Sequence, residues 1–136
     1  MLSRLLLLLS TLQTCAFAEN ATRPNILWLF SDDHAFQAIG AYGGRFGDLN
    51  LTPNIDRIAD EGMRFDRCYV GTSICAPSRA TLLTGKHSHL NGKFDNKDPF
   101  NHDQQQFQKI LRENGYLTAM IGKIHLNGEM QGFDYW

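Results

Sequence analysis

Three short apolar segments stand out from an otherwise mixed chain. Residues 25–30 (NILWLF) and 116–121 (YLTAMI) have the length and composition of buried strands, and residues 63–70 are a weaker candidate. The first segment stops at Ser31-Asp32-Asp33-His34, and the last runs directly into Gly122-Lys123-Ile124-His125. The pattern therefore predicts strands whose carboxyl ends carry polar side chains.

Helical periodicity and helix end signals lie between these segments. We predict helices over residues 52–62, 77–84 and 104–114. In the first, Thr52 is the expected N-cap, Pro53 occupies the first position and Gly62 is the stop. Strands alternating with helices predict an α/β fold with a mainly parallel sheet, in which sites form outside the carboxyl ends of the strands.

The first 18 residues have the composition of a secretory signal peptide. Arg4 precedes an apolar run at 5–9, and Ala16 and Ala18 form a small-residue cleavage site. A lipoprotein anchor at Cys15 is the competing interpretation. We expect removal of residues 1–18 and export of the protein, which would be secreted or periplasmic, or lysosomal in a eukaryotic host, with no membrane span.

Length and charge limit the remaining classes. The 136 residues carry a formal net charge of -1 and no basic run, which gives no electrostatic basis for binding nucleic acid. After cleavage only Cys68 and Cys75 would remain, and in an oxidising compartment they could form a disulfide.

Two adjacent carboxylates, Asp32 and Asp33, follow the first predicted strand. They repel each other unless they are compensated, and a hard divalent cation with oxygen ligands would relieve that repulsion. A helix cap or a solvated turn is the alternative interpretation.

Two further pairs could carry chemistry. Lys123 and His125 point to the same side of an extended segment and suit an anionic group that must be held while a proton moves. Cys75 and Arg79 lie on one side of the first turn of the second predicted helix, where the helix amides and the guanidinium favour a reactive thiol. Three further histidines are expected in loops or on the polar surface: His87, His89 and His102.

The segment CAPSRATLLTG, residues 75–85, resembles the C-x-P-S-R element of the sulfatases of the alkaline phosphatase superfamily and its extension. Residues 24–33, 52–56 and 115–126 resemble the same family in the same order, although the family usually has tryptophan where Ile124 stands. The resemblance implies an alkaline phosphatase-like α/β sandwich. Because sulfatases are several times longer, we expect residues 19–136 to be the N-terminal portion of a catalytic domain, with further metal ligands and the leaving-group acid elsewhere.

The resemblance also implies the chemistry. A formylglycine-generating enzyme would convert Cys75 to Cα-formylglycine, which argues against a disulfide with Cys68. Asp32, Asp33 and residue 75 would bind Ca²⁺. Arg79 would stabilise the hydrated aldehyde, Lys123 would bind sulfate oxygens and His125 would accept the proton of the hydrate.

The predicted function is therefore that of a formylglycine-dependent sulfuric ester hydrolase acting on a sulfated carbohydrate or aryl ester. Residues 85–92, followed by Asp95-Asn96, resemble sulfatases of sulfated sugars, such as N-acetylglucosamine-6-sulfatases of glycosaminoglycans or mucins. Two alternatives stay open: a phosphatase or phosphodiesterase of the same superfamily with residue 75 unmodified, and a truncated, non-catalytic protein. We expect the 136-residue chain alone to be inactive and poorly stable.

Overall fold

The computed structural model describes residues 23–136, so the predicted signal peptide lies outside the described residues. The described residues divide into two units, residues 23–30 and Ser31–Trp136. In the first unit, residues 23–30 are exposed and have no assigned helix or strand. The second unit contains all the elements named below.

Four α-helices form the regular structure of the second unit: α1 Pro53–Glu61, α2 Cys75–Thr84, α3 Ser88–Asn91 and α4 Phe107–Glu113. Three short 3₁₀ helices precede them, at Phe36–Ala38, Gly40–Tyr42 and Gly47–Leu49. The prediction of α1 is confirmed with Thr52 at the N-cap position. The hydroxyl of Thr52 accepts a hydrogen bond from the N–H of Gly40 at 2.8 Å and makes no capping bond to its own helix.

The other helices differ from the prediction at their ends. Helix α2 begins at Cys75, two residues before the predicted start, and Gly85 ends it in the left-handed conformation with φ 65°, which a glycine adopts without steric cost. Helix α4 begins at Phe107, three residues after the predicted start. Helix α3 lies in a segment that we predicted to be a loop.

The strand predictions are not confirmed. Among residues 23–136 the structure has no β-strand and one isolated parallel bridge, between Ala119 and Tyr135. The side chains of Leu117 and Ile121, predicted to be buried, are 88% and 84% exposed. An apolar run is typical of a segment that can join a sheet. A strand, however, also needs a neighbouring strand to hydrogen-bond with, and the run does not specify which segment that is. The parallel sheet stays a prediction.

The core lies against one face of α2. Ala76, Ala80 and Leu83 recur at helical spacing and pack with Phe100, Leu126 and Met130. Partly buried side chains extend this cluster: Phe107, Ile124 and Phe133. The core therefore fixes α2 against the segment that follows Lys123.

Candidate active site

Helix α2 places two of the predicted site residues at its N-terminal turn. Cys75 is the first helical residue, and Arg79 follows one turn later on the same side. Arg79 is 7% exposed because it lies next to the packed face of α2. The packing of Ala76 and Ala80 thus holds in place the part of α2 from which Arg79 projects.

Arg79 connects two segments that are distant in the sequence. Its Nη2 donates to Oδ1 of Asp32 at 2.7 Å, and its Nη1 donates to the backbone carbonyl oxygen of Lys123. Lys123 in turn donates from Nζ to Oδ2 of Asp32 at 2.6 Å. Asp32, Arg79 and Lys123 therefore form one hydrogen-bonded cluster, here called the Asp32 cluster.

The charges in this cluster shift two pKa values. Hydrogen bonds from Lys123 and then from Arg79 lower the pKa of Asp32 below its ordinary value of 3.8. The hydrogen bond to Asp32 raises the pKa of Lys123 above 10.5, with smaller Coulombic contributions from Asp32 and Cys75. Both groups are therefore charged at neutral pH, and residue 75 lies within electrostatic range of Lys123.

Asn96 contacts the start of α2. Its Oδ1 accepts a hydrogen bond from the backbone N–H of Ala76 at 3.0 Å, and its Nδ2 lies 4.0 Å from Sγ of Cys75. Both cysteines among the described residues are free thiols, with Cys68 exposed and Cys75 half-buried. Asn96 belongs to the residues that resemble sugar sulfatases, but nothing in the sequence indicates this contact with Cys75.

Asp33 and His125 adopt an unusual backbone conformation. Both have φ 53°, in the left-handed region that few residues other than glycine occupy. Both side chains are exposed, and no hydrogen bond within residues 23–136 joins them to the Asp32 cluster. The structure brings Cys75, Arg79, Lys123 and Asp32 together. Asp33 and His125 are their neighbours in the sequence, but no hydrogen bond among the described residues joins them to the cluster.

The donor set fits a calcium site only in part. Asp32 and Asp33 provide the carboxylate oxygens that Ca²⁺ prefers. Both oxygens of Asp32, however, accept hydrogen bonds from cationic side chains. Among the described residues no group of three or more His, Cys, Asp or Glu side chains could hold a metal ion. The described part of the chain therefore does not form a complete cation site.

His87, His89 and His102 lie in loops or on the surface, as predicted. His87 and His89 are exposed and stack on each other with ring centroids 5.9 Å apart. His102 lies in a turn, as predicted, but it is 8% exposed, and its Nε2 lies 2.6 Å from the carbonyl oxygen of Asn127. Since that carbonyl satisfies one ring nitrogen, His102 can be buried.

Comparison with known proteins identifies the family. The chain belongs to the sulfatase family, whose model, described as Sulfatase, matches residues 24–136. The chain is 53% identical over 138 residues to an N-acetylglucosamine-6-O-sulfatase of Bacteroides thetaiotaomicron, covering 98% of this chain and 24% of that protein. It is 37% identical over 129 residues to arylsulfatase G of Mus musculus, covering 85% of this chain and 24% of that protein.

A solved structure agrees with these relatives. It is a protein in complex with its substrate D-glucosamine-2-N,6-O-disulfate, with a TM-score of 0.79 and 56% identity over 84% of this chain and 23% of that one. The chain therefore shares the alkaline phosphatase-like fold of the sulfatases, although it spans only 24% of the length of the first relatives it matches. No helix within residues 23–136 is long and apolar enough to cross a membrane.

Proposed function

We propose that this protein is part of a sulfatase that hydrolyses a sulfate ester with residue 75 as the nucleophile. The observation that carries the proposal is the position of Cys75 at the N-terminus of α2, one turn from a buried Arg79 that is bound to both Asp32 and Lys123. This arrangement collects two cationic side chains and the positive end of a helix around one potential nucleophile. A sulfate group, which is anionic and tetrahedral, matches such a site.

A sulfated glucosamine is the substrate class that we favour. One relative is named for N-acetylglucosamine-6-O-sulfate, and one solved neighbour contains D-glucosamine-2-N,6-O-disulfate. Both proteins are more than half identical to this chain where they align. We therefore propose hydrolysis of a sulfate ester at O6 of a glucosamine residue.

The described side chains have distinct tasks in this proposal. Lys123 keeps its proton because Asp32 raises its pKa, so it presents a permanent positive charge to the sulfate oxygens. Arg79 fixes the backbone of Lys123 and the carboxylate of Asp32 in one geometry. His125, two residues after Lys123, can accept a proton next to that charge.

A modification of Cys75 and a cation from outside the chain complete the proposal. Cα-formylglycine, produced from Cys75 by a formylglycine-generating enzyme, would supply an oxygen nucleophile in place of the thiol. Ca²⁺ would neutralise negative charge near Asp32 and Asp33, with further ligands from outside the described residues. A rise in melting temperature on addition of CaCl₂, lost in an Asp33→Asn variant, would support calcium binding independently of activity.

The decisive experiment measures sulfate release and the chemical state of residue 75 together. The protein would be purified in the length that its host produces, incubated with N-acetylglucosamine-6-sulfate, and digested with trypsin to give peptide 68–79. We expect sulfate release, formylglycine at residue 75, and loss of activity in Cys75→Ala. Release of phosphate from phosphate esters with unmodified Cys75 would favour the phosphatase alternative, and no turnover of either ester would favour a non-catalytic protein.

Export also belongs to this proposal. Residues 1–18 have the composition of a signal peptide, and sulfated glycans are extracellular or lysosomal polymers. The N-terminal sequence of the protein recovered from its host should then begin at Glu19. Recovery of the intact N-terminus in the cytoplasmic fraction would overturn this part of the proposal.

A further inference from the structure

A buried lysine organises the loop that contacts residue 75. Lys93 is fully buried, with 0% of its surface exposed. Its Nζ donates to the backbone carbonyl oxygens of Asp98 and, at 3.4 Å, of Asn96. A buried ammonium group that binds loop carbonyls anchors the loop 93–98 from within, because losing those contacts would leave its charge uncompensated.

Two carboxylates hold the same loop from the outside. Oδ2 of Asp98 accepts hydrogen bonds from the N–H groups of Phe94 and Asp95, each at 3.0 Å. Oδ1 of Asp95 accepts from the N–H groups of Lys97 and Asp98, at 2.7 and 2.8 Å. The backbone on both sides of Asn96 is therefore fixed, and the side chain of Asn96 projects from a rigid loop.

The amide of Asn96 has only one orientation that satisfies its surroundings. Its Oδ1 must face Ala76, because the backbone N–H of Ala76 is a donor and cannot pair with an amide NH₂. The NH₂ group is then the part of Asn96 that faces the side chain of residue 75, with Nδ2 at 4.0 Å from Sγ. Asn96 thus caps α2 and also presents a hydrogen-bond donor to residue 75.

We propose that Asn96 is a positioning residue for the nucleophile at residue 75. The loop that Lys93 anchors holds Asn96 in place for this role. The cap fixes the backbone from which residue 75 projects, and the NH₂ donor restricts the rotamers of its side chain. A reactive atom held in one orientation reacts faster than one that samples several. This inference deepens the proposed function and rests on it for the part that concerns catalysis.

The test separates a positioning role from a helix cap alone. Asn96→Asp has nearly the same shape and keeps an acceptor for the N–H of Ala76, so a pure cap would be preserved. It removes the donor that faces residue 75. Asn101→Asp is the matched control, because Asn101 is exposed and its Oδ1 likewise accepts a backbone hydrogen bond, from Asp103 at 2.9 Å.

The activity measurement uses the protein in the length that its host produces, with N-acetylglucosamine-6-sulfate as the probe and kcat normalised to the formylglycine content of peptide 68–79. For Asn96→Asp we expect kcat to fall ~10- to 100-fold while KM changes less than ~3-fold, as for loss of one well-placed donor. The melting temperature of Asn96→Asp should equal that of the wild type. For Asn101→Asp, kcat, KM and the melting temperature should all equal the wild-type values. Wild-type kcat in Asn96→Asp would overturn the inference.

A second measurement does not depend on sulfatase activity. In protein that retains the thiol at residue 75, the rate of alkylation of Cys75 by iodoacetamide at neutral pH reports on its immediate surroundings. We expect Asn96→Asp to slow this rate at least ~3-fold, because the carboxylate repels the thiolate and the donor is gone. If the wild type releases no sulfate, the proposed function fails, but the alkylation rate still tests the position of Asn96 beside Cys75. Equal alkylation rates in the wild type and Asn96→Asp would overturn the inference.

Discussion

Arg79 is the single side chain on which the geometry of the site depends most. Its two terminal nitrogens bind different partners, the carboxylate of Asp32 and the backbone carbonyl of Lys123. These partners come from segments 91 residues apart in the chain. A planar, forked cation presents two nitrogens in a fixed geometry to these two partners, which a single ammonium nitrogen cannot do.

Arg79→Lys should therefore impair the enzyme although it keeps the positive charge. We expect kcat for sulfate release to fall at least ~100-fold, because Lys123 and Asp32 lose their common support. Arg112→Lys is the control, since Arg112 is an exposed arginine that binds Asp134 at 2.8 Å. Steady-state kinetics of both variants decide the matter, and similar kcat values in the two would mean that Arg79 serves only as a charge.

The charge pairs of the Asp32 cluster also predict a pH dependence of stability. The pKa of Asp32 is lowered in the folded protein, so its contribution is complete above 3.8 and is lost as the pH falls through the folded value. The pKa of Lys123 is raised, so its contribution is complete below 10.5 and is lost as the pH rises through the folded value. The cluster should stabilise the fold over the whole range between these limits.

Melting temperatures of the wild type and Asp32→Asn, measured from pH 3 to pH 9, test this directly. We expect the variant to melt lower by a constant difference at neutral pH, and the difference to shrink only below about pH 3.8, where the carboxyl group begins to be protonated in the unfolded chain while the lowered pKa keeps it ionised in the folded protein. A difference that already disappears near pH 6 would show that another group controls the effect.

Sequence reasoning identified most of the candidate residues at this scale but not their contacts. The CAPSR segment, the adjacent carboxylates and the Lys-x-His pair pointed to residues that the structure places in or beside one cluster. Asn96 was not recognised as a partner of Cys75, because their contact depends on how the loop 93–98 folds back onto α2. Lys93 was not recognised either, since lysine is almost never fully buried and its pattern resembles that of a surface residue.

At the scale of elements, the loop 93–98 depends on a single buried ammonium group. Lys93→Met keeps most of the buried stem and removes the donor to the carbonyls of Asn96 and Asp98. We expect the free energy of unfolding to fall by about 1–3 kcal/mol and kcat to fall with it, because the loop no longer holds Asn96 against α2. Urea unfolding and steady-state kinetics provide the two measurements.

Lys97→Met is the matched control for this prediction. Lys97 lies on the same loop with its side chain exposed, so its loss should leave both stability and kcat close to wild type. If the two variants behaved alike, the loop would be held by Asp95 and Asp98 without help from Lys93.

Helices were predictable and strands were not, for a physical reason. Helix signals are local: Pro53 opens α1, Gly62 follows it, and Gly85 ends α2 in the left-handed conformation. A strand requires a neighbour that can be anywhere in the chain, and within residues 23–136 only Ala119 and Tyr135 pair. The apolar runs at 25–30 and 116–121 therefore predict strands without specifying their partners, and these strands stay predictions.

At the scale of the whole molecule, much of the large apolar surface is uncovered. Leu27, Tyr69, Leu117 and Ile121 are each more than four-fifths exposed, at 82%, 86%, 88% and 84%. The apolar face of α1 is also open, with Ile55 41% and Ile58 56% exposed. So many large, strongly exposed apolar side chains are typical of faces that other parts of a protein cover, so these side chains need a covering surface.

Residues 19–136 produced alone should therefore bind the dye 8-anilinonaphthalene-1-sulfonate, associate at micromolar concentration and release no sulfate. The same residues within the protein that the host produces should bind little dye, because longer relatives supply about three times as much additional chain to cover these faces. Fluorescence, light scattering and sulfate release, compared at equal molar concentration, provide the test. A monomeric, dye-free and active 19–136 chain would show that these exposed side chains need no cover and that residue 75 works with the described residues alone.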